Sequence, residues 1–435
     1  DLHSFPTRRS SDLPTGASDA KTNVLVENGR LRSLAAPESA GSGAETIDGS
    51  GLTVLPGLID LHVHFRDPGF PEKETTESGC LAAARGGVTT VCPMPNTKPT
   101  IDTVETLERI ERAAAAANGV HVLPLGTITR GERGEELTDY AALNAVQNEC
   151  FRLMGRGLSA VSEDGKSVMN PRRMREAMIA IHANGLKIFS HAEEIGLCGG
   201  CMRLGAASER LGVIGIPAEA ESIIVARDIL LSEATGCPVH FCHISTASSV
   251  SLIRWAKARG IAVTAETGPH YLTLSEDDVL AENGQFKMNP PLGNETDRAA
   301  LIEGLLDGTI DAIATDHAPH TAEEKNRPVS EAPFGVTGLE TSFCISYTVL
   351  VKSGLTTLSR LIEMMAARPA RILGLDRGEL RVGAAADLTL VDLNETFVVD
   401  PAKSLSKARH SPFAGRPFTG KVKWTIIDGK VIYHD

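Results

Sequence analysis

The sequence has 435 residues, of which 42% are hydrophobic and 23% are charged, and its formal net charge is −12. This length is enough for one large domain and a smaller one, and the composition is that of an ordinary globular protein. The acidic balance argues against a nucleic-acid partner, which would want a basic face, and no apolar run reaches the roughly 18 residues that a membrane span requires.

The first residues differ in character from the rest of the chain. The stretch HSFPTRRSSDL, from His3 to Leu13, resembles the in-frame translation of a sequencing-library adapter. We therefore interpret residues 1–13 as adapter-derived and leave them out of the fold prediction, as one would a cloning scar.

Residues 14–56 are predicted to form short strands joined by turns. The runs NVLVENGRLRSL and ETIDGSGLTVLPG place the turn residues ENG and DGSG between β-rich segments.

From residue 57 to residue 375, strand-like runs alternate with helical patterns. Two of these patterns, ETLERIERAAAAANG and RRMREAMIAIHANG, end in glycine as a helix C-cap does. Eight strands that alternate with helices predict an α/β fold, a (β/α)8 TIM-type barrel. The eight runs are LIDLHVHF, VTTVCPMPN, VHVLPLGTIT, LSAVSEDG, LKIFSHAEE, PVHFCHIS, IAVTAETGPHYL and DAIATDHAPH. Polar residues are concentrated at their carboxyl ends, the rim at which such barrels carry catalytic groups.

The first of these runs carries His62, His64 and Arg66 on alternate positions, so the three side chains share one face of the strand. Imidazoles and a guanidinium on a buried strand are costly unless something pairs with them. Two imidazoles at this spacing can bind one metal ion. Arginine is a poor metal ligand, but it can hold a substrate carboxylate through two hydrogen bonds.

Four further ligand candidates lie at or just after other predicted strands: Asp164, His191, His243 and Asp316. Together with the two earlier histidines they form a nitrogen and oxygen donor set that suits zinc or a similar divalent ion. Six donors are too many for one tetrahedral zinc, so we predict two metal ions about 3.5–4 Å apart that share a bridging carboxylate.

Within this set, Asp164 is the best candidate for the bridge, although alone it would be read as a turn residue before Gly165. Asp316 is predicted to accept a proton at the metal site and return it to a leaving nitrogen, which fits hydrolysis of an amide or its reverse. His240, three residues before His243, faces the opposite way on a strand and is interpreted as a packing residue.

Asn96, Asn289 and His320 lie on other loops of the same rim and could complete a polar substrate pocket. Taken singly, each of the three is more often an ordinary loop residue.

Residues 376–435 are again rich in β-forming segments: ADLTLVDL, ETFVVD and KVKWTIIDGKVIYHD. Two β-rich ends around a long α/β middle predict one small β-sandwich built from both termini. The eight cysteines are scattered without the pattern of a disulfide framework, which predicts a reducing, cytoplasmic location. Cys198 and Cys201 form a single C-x-x-C, for which a glycine-rich loop is favoured over a redox or zinc role.

Eight motifs together resemble the bacterial class I dihydroorotases, metallo-dependent hydrolases of the amidohydrolase superfamily. Two features mark this branch of the cyclic amidohydrolases: R-D-P-G after H-x-H, and N-P-P-L before D-H-A-P-H. The resemblance runs from about Asn23 to the C-terminus, and the motifs are PGLIDLHVHFRDPG, MPNTKPTID, SEDGKSVMN, FSHAEE, HISTASSV, NPPLG, ATDHAPH and ADLTLVDL.

The resemblance implies a function and a set of site residues. The reaction is the reversible cyclisation of N-carbamoyl-L-aspartate to L-dihydroorotate in pyrimidine biosynthesis, with Asp316 as catalytic acid and base. The implied ligands of two zinc ions are His62, His64 and Asp316 for one, His191 and His243 for the other, and Asp164 between them. The implied substrate contacts are His64, Arg66, Asn96, Asn289, His320, Phe334 and Gly335. A homodimer is the implied assembly, and association with aspartate transcarbamoylase is a further expectation.

Two features depart from the family pattern. The opening strand is missing or replaced by the adapter-like residues, and the stretch NAVQNECFRLMGRGLSAVSEDG before the bridging aspartate is longer than usual.

Two other functions are compatible with part of the sequence. A hydantoinase, dihydropyrimidinase or allantoinase usually bridges its metals with a carboxylated lysine, and Lys166 lies two residues after Asp164. A non-catalytic dihydroorotase-like subunit that scaffolds aspartate transcarbamoylase would lack metal ligands. Because every expected ligand is present and Arg66 suits a carboxylate substrate, a dihydroorotase is favoured.

Overall fold

The computed structural model describes residues 2–7, 22–34 and 45–435. The described strands fall into two groups. Mostly antiparallel strands come from the two ends of the chain, and parallel strands that alternate with helices come from the middle.

The two ends of the chain build two four-stranded sheets. Their strands are β1 (Leu2–Thr7), β2 (Thr22–Glu27), β3 (Arg30–Ser33), β4 (Glu45–Thr46), β5 (Thr53–Pro56), β17 (Leu388–Val398), β18 (Pro417–Ile427) and β19 (Lys430–His434). One sheet has the order β3-β2-β1-β4 and the other β19-β18-β17-β5. Strand β5 pairs antiparallel with β17, and Val24, Leu388 and Ile426 from the two sheets pack in one hydrophobic cluster. The two ends therefore meet, as predicted, while the domain boundaries at 56/57 and 375/376 stay a prediction.

Strand β1 lies within the segment interpreted as adapter-derived. It pairs antiparallel with β2 along its whole length and parallel with β4. Residues 8–13 of that segment lie outside the described residues. The place of an opening strand is thus filled by these residues, and their origin stays a prediction.

The middle of the chain has parallel strands that alternate with helices, which confirms the predicted α/β class. The strands are β6 (Leu58–Val63), β7 (Val88–Pro93), β8 (His121–Val122), β9 (Gly126–Thr127), β10 (Val161–Ser162), β11 (Ile188–Ser190), β14 (Val239–Phe241), β15 (Val263–Thr267) and β16 (Ala312–Ile313), with a separate short pair β12 (Met202–Arg203) and β13 (Gly215–Ile216). They pair in the orders β6-β7-β8 and β16-β15-β14-β11-β10-β9. An isolated parallel bridge also joins Val63 to His317, so the end of β6 lies beside the segment that follows β16.

The helices cover the apolar faces of these strands. The α-helices are α1 (Thr76–Arg85), α2 (Val104–Ala115), α3 (Tyr140–Asn144), α4 (Glu149–Met154), α5 (Pro171–Ala183), α6 (Ala206–Leu211), α7 (Glu219–Thr235), α8 (Ala247–Ala258), α9 (Glu295–Asp307), α10 (Ala322–Lys325), α11 (Ser342–Ser346), α12 (Leu358–Ile362) and α13 (Arg368–Leu373), with π-helical segments at Tyr347–Lys352 and Glu363–Ala367. In the described part of the chain, none of the helices is long and apolar enough to cross a membrane.

Candidate metal centre

Six predicted ligands come together at the carboxyl ends of the parallel strands. His62 belongs to β6 and His64 follows it, while the other four follow β10, β11, β14 and β16 within three residues. Every one of the six is buried: His62, His64, Asp164, His191, His243 and Asp316. Strand ends that point to one rim therefore bring together residues that lie up to 254 positions apart in the sequence (316 minus 62).

Two histidines and one aspartate form the first group of candidate ligands. The Nε2 atom of His64 lies 3.0 Å from Oδ1 of Asp316, and Nε2 of His62 lies 3.5 Å from the same oxygen. The three ligand atoms all lie within 4.8 Å of one another, close enough to bind one ion.

Asp164 lies between this group and the second pair of histidines. Its Oδ1 atom is 3.4 Å from Nε2 of His62, 3.7 Å from Nδ1 of His191 and 3.9 Å from Nε2 of His243. The two histidines of the second pair are themselves 2.9 Å apart between Nδ1 and Nε2. This is the placement expected of a carboxylate that bridges two metal ions.

Several buried polar atoms at this centre have no hydrogen-bond partner among the described residues. They include Nε2 of His62, Oδ1 of Asp164 and Oδ1 of Asp316. A buried polar atom without a partner is costly, and a cation placed among these atoms would satisfy all of them at once. The donors present therefore fit a divalent metal, and they form candidate metal-binding groups.

The charge state of the two aspartates also suits a cation. Burial alone would raise the pKa of Asp164 and of Asp316, but the neighbouring histidines outweigh burial and hold both pKa values well below 3.8. Both side chains are carboxylates at neutral pH.

Glu266, on β15, is a site residue that the sequence analysis missed. Its Oε1 atom is 3.3 Å from Nδ1 of His62, and its Oε2 atom is 3.1 Å from Nε2 of His240. Burial opposes ionisation of Glu266, but the close approach of His240 and His62 lowers its pKa to about 2. A carboxylate that accepts from the far nitrogen of a ligand histidine fixes the orientation of the ring.

His240 does pack, as predicted, against the ring of Phe189, with 4.5 Å between the ring centroids. Packing is only part of its role, because both nitrogens are also paired: Nδ1 is 2.9 Å from Oγ1 of Thr264, and Nε2 faces Glu266. The sequence signal for this pair was a charged glutamate on the predicted strand run IAVTAETGPHYL.

Asn96 contacts two of the candidate metal ligands. Its Oδ1 atom lies 3.1 Å from Nδ1 of His64, and its Nδ2 atom donates to Oδ2 of Asp164 over 2.8 Å. On the other side of the centre, Nε2 of His191 lies 3.2 Å from Oε2 of Glu193, a second partner that the sequence analysis missed. These contacts orient three of the six ligands.

Arg66 and His320 lie together beside the candidate metal ligands. The Nε atom of Arg66 donates to the Pro319 carbonyl oxygen over 3.3 Å, and its Nη2 atom is 3.4 Å from Nε2 of His320. His320 in turn lies 2.7 Å from the carbonyl oxygen of Phe334. Burial, followed by the charges of Arg66 and nearby lysines, lowers the pKa of His320 far below 6.5, so its imidazole is neutral.

Asn289 and Gly335 belong to two further loops of the same region. The Oδ1 atom of Asn289 is buried and has no hydrogen-bond partner among the described residues. The amide of Gly335 donates to the Lys287 carbonyl over 3.0 Å, with φ at 133°. A Cβ atom at Gly335 would lie 2.6 Å from the carbonyl oxygen of Ala318, so this close approach requires glycine.

Three residues of the site adopt left-handed backbone conformations. The φ angles are 57° for Arg66, 36° for His243 and 45° for Asp316. Such angles are unfavourable for residues with a Cβ atom and are concentrated at functional sites. The fold therefore stores strain where the side chains converge.

Lys166, the alternative bridge, points away from the centre. Its Nζ atom donates to the Glu132 carbonyl over 3.3 Å and lies 3.6 Å from Oε2 of the same residue, with half of the side chain exposed. Of the two candidate bridges, Asp164 is the one that lies between the two groups of histidines.

Comparison with known proteins gives relatives over nearly the whole chain. A model of the Amidohydrolase family matches residues 53–432. A dihydroorotase of Bacillus cereus (strain ATCC 10987) is 46% identical over 413 residues, which cover 95% of this chain and 94% of the relative. A dihydroorotase of Bacillus cytotoxicus has the same identity and coverage. The solved structure of an L-hydantoinase (dihydropyrimidinase) from Arthrobacter aurescens has a TM-score of 0.85 and 26% identity, and covers 99% of this chain and 96% of its own.

Proposed function

The chain belongs to the amidohydrolase family, and we propose that it is a dihydroorotase, which interconverts N-carbamoyl-L-aspartate and L-dihydroorotate plus water in pyrimidine biosynthesis. It is a hydrolase that acts on a cyclic amide. The observation that carries the proposal is the position of Asp164 between the two groups of ligands, with Arg66 beside them and Lys166 turned away. A lysine-bridged hydantoinase would need the reverse arrangement.

The proposed cofactor is zinc, two ions per chain. His62, His64 and Asp316 would hold one ion, His191 and His243 the other, and Asp164 would bind both. The mixed nitrogen and oxygen donors and the unpartnered buried atoms support this assignment. When bound, such ions polarise a carbonyl group and lower the pKa of water to about 7.

Asp316 supplies the proton transfer in the proposed reaction. In the hydrolytic direction its carboxylate accepts a proton from the attacking water and returns it to the ring nitrogen as the C–N bond breaks. The low pKa of Asp316 keeps it in the basic form at the start of the reaction. In the cyclisation direction the same group moves the proton the other way.

Arg66 is the proposed clamp for the substrate carboxylate. The hydrogen bond from its Nε atom to the Pro319 carbonyl holds the guanidinium at the rim, and a planar guanidinium binds a carboxylate through two parallel hydrogen bonds. Asn289, His320 and the backbone at Phe334 and Gly335 complete the proposed pocket, and Asn96 and His64 would contact the substrate from the metal side.

The proposed architecture is a (β/α)8 barrel that carries a small β-sandwich. Two sets of parallel strands and the bridge between Val63 and His317 support closure of the barrel, and the near-full-length likeness to the L-hydantoinase structure is consistent with it. A homodimer, association with aspartate transcarbamoylase and a cytoplasmic location stay predictions.

The test is an assay of the purified protein on dihydroorotate, N-carbamoyl-L-aspartate, dihydrouracil, hydantoin and allantoin, with metal content measured on the same sample. We expect turnover of the first two and about two zinc ions per chain. Turnover of dihydrouracil or hydantoin without dihydroorotate would replace the proposal with the hydantoinase alternative. Absence of both metal and turnover would favour the non-catalytic scaffold.

A further inference from the structure

Lys325, the last residue of α10, is a lysine with no exposed surface. Its Nζ atom donates to three backbone carbonyl oxygens: Lys287 at 3.1 Å, Pro333 at 3.1 Å and Gly335 at 2.7 Å. An ammonium group has three donors, so all of them are used. Among the described residues, no carboxylate lies within ion-pair distance of it.

The three acceptors belong to the two loops that carry proposed substrate contacts. Lys287 precedes Asn289 by two residues, and Pro333 and Gly335 flank Phe334. Helix α10 itself begins two residues after His320. One buried ammonium therefore joins three separate parts of the proposed pocket.

Further contacts join the two loops, those of Lys287–Asn289 and Pro333–Gly335, to Lys325 and to each other. The amide of Gly284 donates to the Lys325 carbonyl over 2.9 Å, and Nζ of Lys287 lies 4.5 Å from the ring centroid of Phe334. Burial, and then the charge of Lys287, lower the pKa of Lys325 to about 7. Burial of an amine without an anionic partner is unfavourable. The hydrogen bonds from Lys325 to the two loops offset this unfavourable term, so the amine and the loops depend on each other.

We propose that Lys325 is a positioning residue for substrate binding, which fixes the loops of Asn289 and Phe334–Gly335 relative to each other and to His320. The substrate part of this inference rests on the proposed function, whereas the loop-fixing part does not.

The experiment compares Lys325→Met with Lys187→Met. Lys187 is half-buried, and it serves as the control because its Nζ atom also donates to a backbone carbonyl, that of Ile372, and burial lowers its pKa to about 8. It lies directly before β11, at the opposite end of the strands from the candidate metal centre.

Amide hydrogen exchange is measured over residues 284–292 and 330–337. In Lys325→Met we expect exchange in both segments to be faster by about tenfold or more, with no such change in Lys187→Met. Kinetics on dihydroorotate should show KM raised about tenfold, kcat changed by less than about threefold and metal content unchanged. The Lys325→Gln variant keeps N–H donors at this position, so we expect a smaller rise in KM. If Lys325→Met does not fold, Lys325→Gln is compared with Lys187→Met in its place.

Unchanged exchange in both segments would overturn the proposal. Faster exchange with an unchanged KM would overturn the role in substrate binding and leave Lys325 as a structural residue only. If the wild-type protein does not turn over dihydroorotate, the proposed function fails, and hydrogen exchange still decides whether Lys325 fixes the loops.

Discussion

Asp316 has two proposed roles, as a metal ligand and as the group that transfers the proton. Its Oδ1 atom lies 3.5 Å from Nε2 of His62 and 3.0 Å from Nε2 of His64, the two histidines proposed to bind the same ion. We expect Asp316→Asn to lower kcat about 10²- to 10⁴-fold, the usual contribution of a general acid or base, while the fold is kept. Steady-state kinetics, with circular dichroism as the check on folding, measure this.

The control is Asp311→Asn at the opposite end of β16, where the carboxylate accepts from Lys257 over 2.6 Å. It should leave kcat near the wild-type value. A rate for Asp316→Asn within about threefold of wild type would remove the proton-transfer role, since general acid–base catalysis contributes far more than that.

Arg66 should act on binding rather than on chemistry. Removal of a guanidinium that holds a carboxylate costs charged hydrogen bonds, so we expect Arg66→Ala to raise KM for dihydroorotate about 10- to 100-fold. Arg66→Lys keeps the charge without the planar fork and should give an intermediate KM. An unchanged KM in the alanine variant would rule out the carboxylate clamp.

At the scale of residues, the ligand candidates could be predicted because each stands at the end of a strand, and parallel strands end at one rim. The partners of those ligands could not. Glu266 contacts His62 across 204 positions of sequence (266 minus 62), and only the pairing of distant strands brings the two together. Lys325 was missed for the same reason, since its acceptors are backbone atoms of two other loops.

At the scale of elements, alternation and capping predicted some segments better than others. Helix α5 follows its signals: Asn170 caps it by accepting from the amides of Arg172 and Arg173, and Gly185 follows its end with φ at 68°. Helix α2 instead ends at Ala115, so the prediction that its terminal glycine, Gly119, forms the cap was wrong.

The third predicted strand is present as two short strands, β8 and β9. Pro124 lies between them and has no amide hydrogen to give to a neighbouring strand. The backbone on either side still pairs with β7, through Leu123 to Val91 at 2.9 Å and Leu125 to Pro93 at 3.1 Å. The strand was therefore predicted in the right place, but as one continuous strand where the structure has two short ones.

Strand β15 contributes to the candidate metal centre through Glu266 alone, and this can be tested by metal retention. We expect Glu266→Gln to weaken metal binding about 10- to 100-fold, as is usual for the partner of a ligand histidine. The measurement is the metal content left after dialysis against graded chelator concentrations. Glu276→Gln, in the segment that follows β15, is the control and should retain metal like the wild type. Equal retention in both variants would show that Glu266 does not orient His62.

At the scale of the whole molecule, the ends of the chain meet the parallel strands at a charged cluster in which the side chains of Arg377, Asp387 and His121 are buried and that of Asp428 is partly exposed. Arg377 follows α13 and pairs with Asp387, which precedes β17, and with Asp428 in the turn between β18 and β19, at 3.0 Å for the latter. His121 of β8 faces the same two carboxylates at 3.7 Å. Composition and periodicity predicted two β-rich ends, but not the residues through which they meet the middle of the chain.

This cluster should contribute strongly to stability, because only 8% of the Arg377 side chain and 5% of the Asp387 side chain are exposed. Removal of one partner leaves a buried charge uncompensated, so we expect Arg377→Met to lower the free energy of unfolding by about 3–5 kcal/mol. Urea titration measures this through tryptophan fluorescence, since Trp424 lies on β18 and Trp255 on α8. The matched control is Arg381→Met, whose pair with Asp376 is exposed and should cost about 0–1 kcal/mol. Similar losses in the two variants would mean that the cluster does not hold the small sheets to the parallel strands.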